Sequence, residues 1–526
     1  MAKIWKSTLG LAVALGAIIL VPVVMRPKPE VDGAATKRLV IVTPHNEATR
    51  YEFTHRFVQW YAARTGERVT IDWRTPGGAS EIARYLASEY YGAFRYEWET
   101  RRGQPWTLEV QAAFDNPRVQ PGDENDAARA RKAFLESNVG CGIDLLFGGG
   151  SYEFIQQANA GRLVDSGVVK ANPQRFGGTG PGAIPQTFGG EAYWDPEGRW
   201  IGVVLTAFGI CYNTDALKRL GIEKPPRQWD DLADPRLIGS VALSDPTQSG
   251  SVAKAFEMLM QQQIALAGGD VNEGWARGVR LIRRIAANAR YFTDSASKVP
   301  WDVESGDAAA GMVIDFYGRY QSEAVRRPDG SSRLQYVTPD GGSSFGTDPV
   351  GMLRGAPSPD VARAFIEFCI SEEGQKLWNW KVGTPGGPIR YALRRLPILP
   401  ELYEPRFDIY RSDPGVNPYR ETDFVYHPEW TAPLFRVISF IVQVVAIEPH
   451  EELREAWREL VRAGFPPQAT AKFDEVTGVD YAAAQNVLRP ALRSVHKIEQ
   501  VRLTKVLCDQ FRQQYKEVAA LARAGK

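Results

Sequence analysis

The chain has little of what most metal and covalent chemistry needs. Its 526 residues hold four cysteines, Cys141, Cys211, Cys369 and Cys508, far apart and without a CxxC pair. That excludes a thiolate zinc site and a disulfide-dense scaffold, and leaves free core thiols, with one long-range bridge as the alternative. Five histidines leave few imidazole ligands or general bases. There is no HExxH, no phosphate loop of the GxxxxGK type, and no GxGxxG following a strand. Net charge is also missing: 63 Lys and Arg face 62 Asp and Glu, so no global field draws the chain to nucleic acid. No short-period repeat or long low-complexity segment is present.

What is there is ordinary soluble-protein material, 44% hydrophobic and 24% charged, enough for a sizeable core and for two to four domains. The amino terminus departs from it. Lys3 and Lys6 precede an apolar run over residues 9–25, then Arg26-Pro27-Lys28. A basic start before an apolar stretch is an export segment, and about 17 residues is the lower limit for spanning a bilayer. No clean small-x-small site closes the run, so it reads as an uncleaved anchor, with a cleaved signal as the alternative. The two lysines place the remainder outside the cytoplasm. The absence of cysteine from the first 40 residues excludes lipid attachment there.

From residue 37 strands and helices alternate. Residues 39–43 (LVIVT) read as a buried strand, 46–65 as a helix stopped by Gly66, and 69–73 as a second strand; such a unit implies a parallel sheet. Residues 92–138 read as an insertion with a helix near 126–136. Strands follow at 143–147, 241–243, 308–314 and 334–337, with helices at 152–160, 271–289 and 359–370. The run WIGVVLTAFGICY over residues 200–212 is long enough to cross from one lobe to another. Beyond residue 400 strand signals fade and helix formers dominate. Residues 489–526 carry nine Lys/Arg against three Asp/Glu and read as a helix packed on the body, with partner or membrane-surface contact as the alternative.

Three turns share one form: a strand ends, small residues follow, and a helix begins. They contain Thr75, Gly77, Gly78 and Ser80; Gly149, Gly150 and Ser151; and Thr247, Ser249, Gly250 and Ser251. Ligands of open α/β sheets bind beyond the carboxyl ends of strands, and a helix start offers unpaired N–H groups and partial positive charge to an oxyanion. Ser295 and Ser297 are further candidate cleft hydroxyls. Trp194, Trp301 and Tyr193 are candidate stacking rings, weighed against plain packing.

In this order the motifs WDDLADPR (229–236), DPTQSG (245–250), GDAA (306–309), DFY (315–317), AFIEF (364–368) and SEEGQK (371–376) resemble the periplasmic solute-binding proteins of the ferric-iron, polyamine and sugar-phosphate ABC importers. The resemblance covers roughly residues 38–390. It implies an α/β fold of two lobes joined by crossing hinge strands, ligand capture between them, and delivery to a permease in the inner membrane. It implies a monomer that is not an enzyme, needs no cofactor, and works in the periplasm, tethered by its amino-terminal segment. The iron-binding branch uses a His after the first strand, a Glu and two consecutive tyrosines. His45 and Tyr317 match as metal ligands, with Asp315 beside them, but Phe316 stands where the first tyrosine would be. An oxyanion-bearing organic solute is therefore preferred to Fe(III) as the transported ligand.

The expected organisation is a signal or anchor over 1–36, a first lobe from 37–202 with 336–399 (insertion 92–138), a second lobe over 203–335, and a helical carboxyl-terminal extension over 400–526. Two other readings stay open. The letters G-x-S-x-G at residues 342–346 suggest a periplasmic serine hydrolase acting through Ser344, although a nucleophile elbow needs a helix directly after it. The extension suggests a binding fold recruited as a sensor or scaffold.

Overall fold

A computed structural model describes residues 37–526 apart from 179, 181, 421–422 and 495–496, together with all but the side chain of Lys497. The expected anchor, and His496, lie outside the described residues. The apolar run KRLVIV forms β1 (Lys37–Val42), and Asn46 starts helix α1 (Glu47–Thr65) by accepting the Thr49 N–H at 3.0 Å. β2 (Val69–Arg74) lies parallel to β1. Helix α2 (Ala79–Tyr96) leads into the insertion, whose helices α3 (Leu108–Ala113) and α4 (Asp126–Glu136) bury Val110, Phe114 and Phe134 with Phe94 and Trp98 under one face of the sheet. β3 (Leu145–Phe147) joins β1 in parallel on its other side. Helix α5 (Ser151–Ala160), β4 (Leu163–Val164) and a small hairpin, β5 (Thr187–Phe188) with β6 (Glu191–Ala192), follow.

The long apolar run then changes sheets. β7 (Ile201–Thr206) belongs to the first sheet; after Ala207, β8 (Phe208–Asn213) belongs to the second. The first crossing thus falls a few residues beyond the expected 202/203 boundary, because the buried run stays in the first sheet through Thr206. The second lobe adds β9 (Val241–Ser244), α6 (Gly250–Leu266), α7 (Val271–Ala287), β10 (Ala289–Thr293), α8 (Lys298–Ser305), β11 (Ala310–Ile314), α9 (Asp315–Ala324) and β12 (Leu334–Val337). The chain returns through residues 338–345 to β13 (Gly346–Leu353), followed by α10 (Pro359–Cys369), α11 (Glu372–Asn379) and β14 (Leu396–Pro397). The first sheet runs β14-β7-β13-β3-β1-β2 with β4 beside β13, and the second runs β10-β9-β11-β8-β12. Helices and apolar clusters cover both faces of each sheet, so the chain forms two α/β lobes joined by crossing segments, as expected.

The extension is helical, and it is not a separate body. Apolar residues up to Tyr419 pack on the first lobe; most of the buried apolar residues from Phe424 onward share one core with the second. Helix α12 (Phe435–Val442) enters this core by apolar packing, and α13 (His450–Arg462) and α14 (Lys497–Arg523) add buried polar contacts, Trp457 donating to Asn288 at 2.9 Å. Arg283 of α7, fully buried, donates to the Tyr515 hydroxyl at 3.0 Å and to the Glu475 carbonyl at 2.8 Å, and Trp275 donates to the Val479 carbonyl at 2.9 Å. The stretch Pro428–Ile447 is apolar and long enough to cross a bilayer, but about two thirds of it is buried in this core.

Candidate functional site

A cleft of ≈ 440 Å³ lies between the lobes at the carboxyl ends of both sheets. Each wall is a set of strand-to-helix turns. The first lobe contributes Asn46 at the start of α1, Gly77 and Gly78 at the start of α2, and Gly149 just before α5. The second contributes Ser249 before α6, Ser297 before α8, and Ile314, Phe316 and Tyr317 at the start of α9. Six helix amino termini, three from each lobe, therefore face one space. Each carries partial positive charge, and hydroxyls of Thr49, Ser249, Ser251, Ser295 and Ser297 stand among them. The described lining residues include no lysine or arginine; Glu81, Asp294 and Asp348 are its acids.

The lobes meet across this space. A methyl group at Gly78 would sit 3.7 Å from the Gln248 carbonyl oxygen, and one at Gly250 would sit 3.9 Å from the Ala79 Cβ, both ordinary contact distances. Two of the turns depend on glycine. Glu81 folds back to accept the Gly78 N–H at 2.9 Å, filling the place a side chain at Gly77 would take. Gly148 has φ +84°, and a Cβ there would lie 2.4 Å from His45 Nε2.

His45 forms part of the cleft floor, 7% exposed, its ring edge-on to Phe147 at 4.6 Å. Burial, then the Arg395 and Arg50 cations, hold its pKa well below the ordinary imidazole value, so the ring is neutral near pH 7. Its Nδ1 is 3.4 Å from the Arg395 guanidinium and its Nε2 is buried against Gly148 without a hydrogen bond. Arg395, 1% exposed, is ion-paired to Asp348 and lies under the Phe316 ring, 4.2 Å from its centroid. Phe316 thus has a packing role of its own: its face covers a buried cation. Burial raises the Tyr317 phenol, which stays protonated at neutral pH. Asp315 opens α9 instead of ending a strand. It lies fully buried beneath the cleft, accepts the Phe316 N–H at 2.8 Å, and is pushed up to about 6 by burial, with Arg319 and Arg395 pulling the other way.

The expected residues are thus distributed. His45, Gly77, Gly78, Gly149, Ser249, Gly250, Ser251, Ser295 and Tyr317 share the cleft. Gly150 and Ser151 line a small neighbouring cavity beside Glu191 and Lys254, Ser80 and Thr247 line a third, and Thr75 is exposed outside all of these. Trp301 is 59% exposed and lies outside the cleft lining, whereas Tyr193 and Trp194 are buried and donate to the carbonyls of Phe345 and Ile184, which gives those two rings a packing role. Sequence reasoning missed Asn46, Thr49, Glu81, Asp294, Asp348 and Arg395. Asn46 and Asp294 stand in strand-to-helix turns and were findable; Asp348 and Arg395 come together only through the fold.

Ser344 has no nucleophile-elbow geometry. It leads into strand β13, it is buried, and its Oγ donates to Glu191 at 2.6 Å and lies 3.2 Å from Met258 Sδ. Among the described residues no histidine reaches it.

Residues 143–390 match the bacterial extracellular solute-binding protein family. The phosphoglycerate transport regulatory protein PgtC of Salmonella typhimurium is 27% identical over 177 residues, which cover 34% of this chain and 40% of that protein. A putrescine/agmatine-binding protein of Pseudomonas aeruginosa is 24% identical over 251 residues, 46% of this chain and 62% of that one. The chain thus spans between two fifths and two thirds of the length of these relatives. Iron-bound HitA from Pseudomonas aeruginosa superposes with a TM-score of 0.46 at 15% identity, covering 76% of this chain and 98% of that chain.

Proposed function

Starting from a bacterial extracellular solute-binding region over residues 143–390, we propose that this chain captures a small anionic organic solute between its lobes and presents the closed form to an ABC importer in the membrane. The carrying observation is the convergence of six helix starts from both lobes on one cleft. Their N–H groups and the serine hydroxyls suit a phosphate or carboxylate head. Glu81 and Asp294 suit hydroxyl or amine donors on the rest of the solute. A phosphorylated hydroxy acid or sugar meets both demands, and a phosphoglycerate transport protein among the relatives supports that class. The chain works as a binder, outside the cytoplasm, with residues 1–36 as its export and tether segment.

Fe(III) is the weaker cargo. The imidazole of His45 faces a guanidinium at Nδ1 and backbone at Nε2, Tyr317 is held as a neutral phenol, and Phe316 covers Arg395. The test is thermal unfolding and calorimetry of purified protein with phosphoglycerate, a hexose phosphate, a dicarboxylate, putrescine and ferric citrate. A phosphate monoester or a free carboxylate at a hundred times its Kd stabilises by about 2.7 kcal/mol, and Ser249→Ala weakens it. Binding of putrescine or ferric iron alone would overturn the reading.

A further inference from the structure

A larger cavity, ≈ 600 Å³, opens beside the cleft where the first lobe, the start of α6 and the extension meet. Arg84 of α2 and Arg436 of α12 stand on its walls, with Tyr152 and Glu153 of α5 between them. Arg489 and Arg493 belong to the short helix Arg489–Arg493, Arg493 directly after the lining residue Leu492 and Arg489 three residues before it, and Arg118 follows the lining residue Pro117. Burial and then the Arg489, Arg118 and Arg436 cations lower the Arg493 proton affinity, with Tyr152 opposing, so Arg493 stands in the field of three other guanidiniums. Glu153 feels Arg436 and Arg84 in turn.

The cluster is unusual within this protein. Buried arginines elsewhere have firm partners, Arg395 and Arg394 in Asp348 and Asp413, Arg283 and Arg131 in backbone carbonyls. Among the described residues none of Arg84, Arg118, Arg436, Arg489 and Arg493 has a carboxylate within ion-pair distance. The acid that faces them is Glu153, 8% exposed, with Oε2 buried and lacking a hydrogen bond. Asp115, nearby, is already held by Arg162. Arg84 and Arg436 line this concave surface, and Arg118, Arg489 and Arg493 stand within a few residues of others that do, against one desolvated carboxylate. Gln156, Gln443 and Gln500 line the same space and supply amide donors.

We propose that this cavity is a second binding site, taking a small polyanion with two or more phosphate or carboxylate groups, gripped by Arg84 and Arg118 of the first lobe and by Arg436, Arg489 and Arg493 of the extension. Guanidinium forks bind such groups bidentately, and the cavity has the volume of a small-molecule site. Because the extension shares its core with the second lobe, the bound anion bridges the two lobes.

The full chain is titrated with tripolyphosphate and, separately, with citrate, at fixed ionic strength set by chloride. One anion binds per chain in at least one titration, the stronger arm telling phosphate from carboxylate chemistry, and affinity falls steeply with added salt. Arg436→Gln with Arg493→Gln lowers that affinity at least about tenfold, while Tyr317→Ala in the cleft leaves it unchanged. Without anion at low salt, the same arginine pair raises the unfolding midpoint by relieving repulsion. Absence of saturable binding by both probes at millimolar concentration overturns the proposal. So does binding that ignores the arginine substitutions or disappears with Tyr317→Ala, and so does an arginine variant that unfolds earlier than the parent without anion.

Discussion

Replacing Asp315 by Asn should stabilise the protein above pH 7 and destabilise it slightly below pH 4. The Asp315 carboxyl is fully buried at the start of α9, where burial pushes it from an ordinary 3.8 up to about 6. Its folded pKa is thus raised above the unfolded one, so the folded chain binds this proton more tightly. The stability this contributes is complete below pH 3.8 and is lost as pH climbs through about 6. At pH 7.5 the ionised group therefore costs about 3 kcal/mol relative to its protonated form. Asparagine keeps the acceptor that takes the Phe316 N–H at 2.8 Å. It also places an amide where Oδ2 has no hydrogen-bond partner, which returns about 1–2 kcal/mol of the gain. Arg319 loses one carboxylate at 3.9 Å but keeps Asp413 at 3.9 Å. The net expectation is about 1–2 kcal/mol of added stability at pH 7.5, reversing to about 1–2 kcal/mol of lost stability near pH 4, where the parent carboxyl is protonated and only the amide penalty remains. Calorimetric unfolding of both proteins at half-unit pH steps measures it. A variant no more stable than the parent at pH 7.5, or a gain that does not change with pH, would refute the reasoning.

Lys254 is held between Glu257 at 2.9 Å and Glu191 at 3.0 Å; burial pulls its pKa down, but the two carboxylates prevail and raise it well above the ordinary value. Lys254→Met leaves two buried carboxylates facing each other and should cost about 3–5 kcal/mol at pH 8 by denaturant unfolding. Gly148→Ala adds left-handed strain and a Cβ 2.4 Å from the immobile His45 ring, and should lose at least about 2 kcal/mol in urea midpoint with its slope unchanged. Phe435 of the extension stacks on Tyr152 of the first lobe, ring centroids 4.3 Å apart. Phe435→Ala should weaken closure by about 0.5–1.5 kcal/mol, read by small-angle scattering as a larger radius of gyration for the unliganded protein.

Local signals carried much of this architecture. The cap at Asn46 and the stop at Gly66 bracket α1, and the buried run over residues 200–212 announces a lobe crossing because no single sheet needs a strand that long. The helix Asp126–Glu136 and the strand Leu334–Val337 were legible to the residue. β13 was not. Its sequence GTDPVGML holds two glycines, an aspartate and a proline, all poor strand formers, and it survives because β7 and β3 pair with it on either side. The missing ladder donor of Pro349 coincides with a register shift at that point, and its carbonyl still accepts the Gly148 N–H at 2.7 Å. Helix α9 was hidden because Ile314 caps it with no polar side chain, so Asp315 read as a strand end. The floor of the cleft was invisible for a different reason: Asp348 and Arg395 stand 47 residues apart and acquire meaning only as a pair.

That pair decides how the cleft's charge adds up. Arg395 and Asp348 cancel, His45 is neutral, and Tyr317 keeps its proton. What remains is six helix starts, each equivalent to about half a positive charge, against Glu81 and Asp294. The sum is about +1, with Glu81 already engaged by the Gly78 N–H. A site so balanced favours a solute of one or two negative charges that offers hydroxyl donors to the acids. A bare ferric ion would meet the positive ends of six helices and gain only carboxylates that must first leave their present partners. Phe316, the departure from the two-tyrosine pattern, fits the same arithmetic: a phenolate over Arg395 would add the negative charge that a cation needs and an anion does not.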